Sequence, residues 1–187
     1  MSLWQKNLIG VLLKGARAGD RHLAMRDPRF RDAPVRIHLT SPDFGAWAMM
    51  PKAFTQDGDN LSPPLKWENL PEGTQAMALI VQDPDAPTPD PITHLIAYDI
   101  APEDEIATGE LMPGTDRFKL GRGSFGHVGY VGPRPIRSHG RHRYMFQLFA
   151  LDAPLSFERM PDLRALLDAM AGHVLARGEL TGWYERN

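Results

Sequence analysis

The sequence predicts a mainly β protein: an antiparallel two-sheet β-sandwich of Greek-key type with peripheral helices at the two ends. Three observations predict it. Short apolar or alternating runs recur between Pro/Gly-rich turns along most of the chain. Helical periodicity is confined to the two termini, and the βαβ alternation that a parallel sheet requires is absent. At 187 residues the chain suits one domain with a full core.

The elements follow in order. Trp4, Leu8, Ile9, Leu12 and Leu13 recur at helical spacing among Lys6, Lys14, Arg17 and Arg21, predicting a basic amphipathic helix from about Leu3 to Ala18. Val35–Thr40 alternates apolar and polar and reads as a half-buried strand. Residues 44–54 read as strand–turn–strand, and Leu65–Trp67 as a short strand after the turn-rich 57–64 segment. Ala76–Val81 is a compact apolar run suited to a central strand. Thr93–Ile100 should put His94, Ile96, Tyr98 and Ile100 on one face. From His142 the same period aligns His142, Tyr144, Phe146, Leu148 and Ala150. Pro161 opens a helix striped by Leu163, Leu166, Leu167, Met170 and Val174, with Gly178 placed to cap it, and Thr181–Tyr184 adds a last short strand.

Charge divides the chain unevenly. The net charge is −2, yet residues 1–36 carry eight Lys/Arg against three Asp, a local +5. Residues 1–34 are therefore read as an N-terminal basic helical extension, a candidate homodimer interface or surface anchor, and 35–187 as the β domain. There is no cysteine, which excludes a disulfide framework and thiolate chemistry. The apolar run Leu8–Leu13 is too short for a signal peptide, and no stretch approaches the ~20 apolar residues of a membrane span. Cytoplasmic placement is the expectation, with no nucleic-acid partner.

The chemistry concentrates before the strand at Tyr144. Between Arg117 and Arg143 stand seven Lys/Arg, three His and six Gly, with no Asp or Glu. Such a stretch can seat an anion. Asp83 and Asp85 close one predicted strand, His94 opens the next, and His142 and Tyr144 open a third. If these ends converge, carboxylates sit beside imidazoles, and a charged ring donates to a phosphate oxygen. Gly121–Gly126 matches a dinucleotide-binding glycine pattern but lacks the strand before and the helix after it, so no dinucleotide is inferred. His139-x-x-His142 with His94 and the aspartates invites a metal, but the basic surroundings oppose a cation. No catalytic residue, metal or cofactor is expected. The alternative class is a hydrolase or metal-dependent enzyme using the same Asp/His cluster.

Five segments in order carry a family resemblance: Asp57-Gly-Asp-Asn-Leu-Ser-Pro-Pro-Leu-Lys-Trp67, Asp83-Pro-Asp-Ala-Pro87, the strand-opening His94, Gly132-Pro-Arg-Pro135, and Ser138-His-Gly-Arg-His-Arg-Tyr-Met-Phe146. With the ending 179–186, they resemble the bacterial branch of the phosphatidylethanolamine-binding proteins, the family that includes Raf kinase inhibitor protein. The resemblance implies a two-sheet sandwich with a small pocket for phosphate-type groups, and a soluble, non-catalytic protein that modulates kinases or other enzymes. Its ligand would be a phospholipid head group, a phosphorylated small molecule or a phosphorylated side chain of a protein partner. Carried over by motif, the pocket comprises Asp83, His94, Gly132, Pro133, His142 and Tyr144, with Asp85, Pro87 and His139 close by. Ile136 stands where bacterial members usually carry a second proline, so a differently shaped loop is expected there.

Overall fold

The computed structural model describes residues 3–103 and 105–187. Among the described residues there are seven strands: β1 (His38–Thr40), β2 (Lys66–Glu68), β3 (Ala76–Asp83), β4 (Ile92–Ile100), β5 (Lys119–Leu120), β6 (His142–Leu151) and β7 (Val174–Tyr184). Helix α1 (Leu3–Leu12) precedes them, and α2 (Leu163–Met170) lies between β6 and β7. All strand pairs are antiparallel, in a two-stranded β1–β2 sheet and a five-stranded sheet of order β5-β4-β3-β6-β7. β3, β4 and β5 are neighbours, and β6 returns by a long connection to lie beside β3, which is a Greek key. The predicted fold class is the observed one.

Period-two alternation builds the centre. β3 is buried at every position. Met77, Leu79 and Val81 face one core, together with Tyr144, Phe146, Leu148 and Ala150 of β6. Ala78 and Ile80 face a second core with Phe149 and Leu151. The first is closed by Leu39, Phe44, Met50, Phe54 and Leu65, and the second by α2 and by Ala24, Met25 and Phe30.

That second layer moves the domain boundary. Gln82 and Gln147 place buried amides on this face, where Gln147 Nε2 donates to Gln82 Oε1. The backbone amides of Ala24 and Met25 donate to Gln82 Oε1 and Gln147 Oε1, at 2.8 and 2.7 Å. Arg177 donates to the carbonyls of Met25, Arg31 and Ala33. Buried polar groups need such partners, so residues 20–34 are part of the domain and not a separate extension. The helix also ends at Leu12, not Ala18.

Other expectations change for local reasons. Residues 44–54 hold turns, a bridge from Met49 to Trp183 and a 3-10 turn at 52–54, not a strand pair. In β4, Val81 pairs with Leu95 but Gln82 pairs with Thr93, so His94 sits at a bulge. A second register shift accompanies Asp99, held at φ 54°. Ile96 and Tyr98 therefore face the second core, while Ile100 joins the first. Gly178 is not a helix cap but lies within β7, where a Cβ would meet Ile37 O at 2.3 Å.

Candidate functional site

The bulge turns His94 into the first core, where its ring meets Tyr144 edge to face at 5.2 Å between centroids. His142 and Tyr144 arrive on alternate positions of β6, and Asp83 ends β3. These four line a cavity of about 480 Å³ with Pro87, Gln56, His127 and Arg134. Leu13, Phe125 and Ile136 supply much of its apolar wall. A mostly apolar cleft with a few convergent polar groups is the usual form of a small-ligand site. A second cavity of about 510 Å³ lies over the other core, beside α2. No predicted site residue lines it, and its Arg29 is held by Asp27 and Asp168.

His94 has a fixed tautomer. Its Nδ1 donates to Val131 O at 2.6 Å, and Nε2 is buried with no hydrogen-bond partner among the described residues. Burial holds its pKa below the ordinary 6.5 despite the opposing pull of the Asp83 charge. The ring is thus neutral at neutral pH, and Nε2 presents a lone pair. This corrects the expectation of a charged donor at His94. Burial, reinforced by the Asp83 charge, pushes the Tyr144 phenol well above its ordinary 10. Tyr144 therefore keeps its proton and remains a donor.

His142 spends both ring nitrogens within the protein. Nδ1 donates to Asp83 Oδ2 at 2.7 Å, and Nε2 meets His139 Nδ1 at 2.7 Å. His139 Nε2 donates in turn to Leu13 O at 2.7 Å. The row runs from the Asp83 carboxylate through both rings to the Leu13 carbonyl and engages all four ring nitrogens. His142 hence presents ring carbon, not a free N–H, to the cavity.

The remaining predicted residues serve as supports. Asp85 does not line the cavity. Its carboxylate takes Arg143 Nε and Nη2 at 2.8 and 2.9 Å and Arg17 Nη1 at 2.9 Å. Burial pushes Asp85 up, but the hydrogen bonds from Arg143 and the charges of Arg143 and Arg17 outweigh it and leave the carboxyl below its ordinary value. Gly132 and Pro133 seat the loop beneath Val131 and Arg134. Gly132 N donates to Asn60 Oδ1, Gln56 donates to both carbonyls, and a Cβ at Gly132 would meet Phe54 O at 2.3 Å. His139 stands behind His142 and does not line the cavity. Among the described residues, no group of three or more His, Cys, Asp or Glu is arranged to hold a metal ion.

Sequence reasoning passed over Leu13, Gln56, Phe125, His127 and Arg134. Gln56 and Arg134 adjoin quoted motifs, and Arg134 and His127 lie in the basic stretch. Nothing local marks Leu13, which reaches the cavity only because residues 18 and 19 donate backbone hydrogen bonds to Ala86 O and Pro84 O.

Comparison with known proteins gives the same frame. A UPF0098 protein of Pyrococcus horikoshii is 41% identical over 147 residues, spanning 76% of this chain and 74% of its own. The crystal structure of a Chlamydia trachomatis protein described as a putative phosphatidylethanolamine-binding protein homologue superposes with a TM-score of 0.74. It is 34% identical and covers 81% of this chain and 98% of its own. Escherichia coli YbcL, described as a member of the mammalian family, gives 0.72 at 25% identity, over 81% and 99% of the two chains. The phosphatidylethanolamine-binding protein family model matches residues 40–185, a span holding every cavity-lining residue except Leu13. With the Greek-key sheet and all five motif segments inside that span, the chain belongs to the phosphatidylethanolamine-binding protein family.

Proposed function

We propose that the protein is a non-catalytic binding protein whose cavity takes a phosphate-type group in its singly protonated form. A phospholipid head group, a phosphorylated small molecule or a phosphorylated side chain each supplies that chemistry. The observation that carries the reading is the buried, unpartnered lone pair of His94 Nε2. Left empty of hydrogen bonds, such a group costs free energy that a ligand O–H recovers. A phosphate monoester monoanion has one O–H for this acceptor. Its remaining oxygens accept from Tyr144 Oη–H and Arg134.

The hydrolase alternative is less supported, because both nitrogens of His142, the partner of Asp83, are engaged within the protein. Calorimetric titration with inorganic phosphate and phosphoethanolamine in metal-free buffer tests the reading. Saturable binding of both is expected. Heat that appears only after zinc is restored would hand the site to the metal-dependent alternative.

A further inference from the structure

Among the side chains described for α1, the apolar ones at residues 8, 9, 11 and 12 turn away from the protein. Leu8, Val11 and Leu12 are 60%, 57% and 74% exposed, and Ile9 is 39% exposed. Gly10 is buried instead, seated so closely that a Cβ there would lie 1.8 Å from Arg137 O. The helix docks by glycine backbone, and its described apolar side chains belong to neither core cluster. It is also pinned beside the cavity, because Leu13 lines that cavity and accepts from His139. A second apolar projection belongs to the same cavity wall. Phe125 is 87% exposed and held at φ 60°, a backbone conformation that non-glycine residues rarely adopt. Lys14 and Arg134, both exposed near these projections in the fold or sequence, have no carboxylate partner among the described residues.

We propose that this rim docks onto an anionic lipid bilayer. α1 lies in the interface plane with Leu8, Val11 and Leu12 at the acyl boundary, and the cavity opens toward the head groups. Interfacial helices bind by this pairing of apolar face and basic flank. Charge selects a bilayer over a second copy of the chain. Residues 1–19 carry three Lys/Arg and no Asp or Glu, so helix-on-helix packing sets like charges together, whereas anionic lipid supplies the counter-charge. The inference rests on the phosphate-binding reading only for the orientation of the cavity.

The test is co-sedimentation of the full chain with phosphatidylcholine vesicles, with and without phosphatidylglycerol, beside the double variant Leu8→Asp, Leu12→Asp. Both side chains are exposed, so the variant should fold, and phosphate calorimetry checks that it does. The wild type is expected to sediment with the phosphatidylglycerol vesicles only, and less so at high salt. The variant should lose about tenfold or more of that binding with its phosphate affinity unchanged. No vesicle binding, or equal binding by the variant, overturns the proposal. A dimer that the variant dissolves, without vesicle binding, overturns it in favour of a second copy. Charge-dependent vesicle binding without any phosphate binding would sink the pocket reading and leave the docking surface standing.

Discussion

At His94 a neutral tautomer decides what the site can hold. With Nδ1 committed to Val131 O, only a ligand that brings a proton completes Nε2. Replacing His94 by Ala should weaken phosphoethanolamine binding by about tenfold or more, the usual worth of a hydrogen bond to a charged partner. Asp83→Asn tests the neighbouring pair. Its side chain and that of His142 are 4% and 2% exposed, and breaking a buried pair leaves its partner uncompensated. Urea denaturation should show a loss of about 3 kcal/mol; an unchanged midpoint would mean that the pair adds nothing net to stability. The sequence made His94, His142, Tyr144 and Asp83 legible as a set, because each stands at or beside the end of a predicted strand. It could not show the neutrality of His94, which comes from burial. Nor could it show that Asp85 is taken by Arg17 and Arg143, since Arg17 lies far away in the chain.

At the scale of elements, alternation was legible wherever a strand was regular. β6 follows it from Tyr144 to Ala150. β4 departs from it because two bulges, at His94 and beside Asp99, each reverse the faces beyond them. The bulge at His94 is what turns that ring toward Tyr144. Helix signals near Gly178 misled because a glycine after a leucine stripe reads as a cap, whereas here its missing Cβ lets Ile37 O approach the edge of β7. Gly178→Ala should cost about 2 kcal/mol or more in thermal or urea unfolding; a neutral effect would show that the Ile37 segment gives way. Removal of residues 1–15 should leave the sheet intact, since the clamp at Ala24 and Met25 remains. It should weaken phosphate binding severalfold, because Leu13 leaves the wall and His139 loses its acceptor. Calorimetry on the truncated chain, checked by circular dichroism, reads both effects.

Over the whole molecule, the sandwich was legible because its strands are short, alternating and bounded by turn residues. The integration of residues 20–34 was not, since it depends on two glutamines and Arg177 that meet this segment only in the folded state. Ionisation also acts at this scale. The pKa of His94 is lowered on folding from 6.5, so the unfolded chain binds more protons, and stability falls as pH drops below about 6.5. Asp85 is lowered from 3.8, so its contribution is held above that value and lost as pH falls below it. Urea midpoints should therefore decline on acidification from neutrality. His94→Gln should flatten the first part of that decline, and an unaltered slope would remove His94 as its source.

The most direct test of the central claim is the affinity for phosphoethanolamine, by calorimetry, from about pH 5 to about pH 8 in wild type and His94→Ala. A singly protonated ligand meeting a neutral acceptor predicts tightest wild-type binding at the acid end. Binding should weaken as pH rises through the second phosphate ionisation near ~6, while His94→Ala stays weak and shows less pH dependence. Wild-type affinity that is level across the range, or that strengthens toward alkaline pH, would contradict the account.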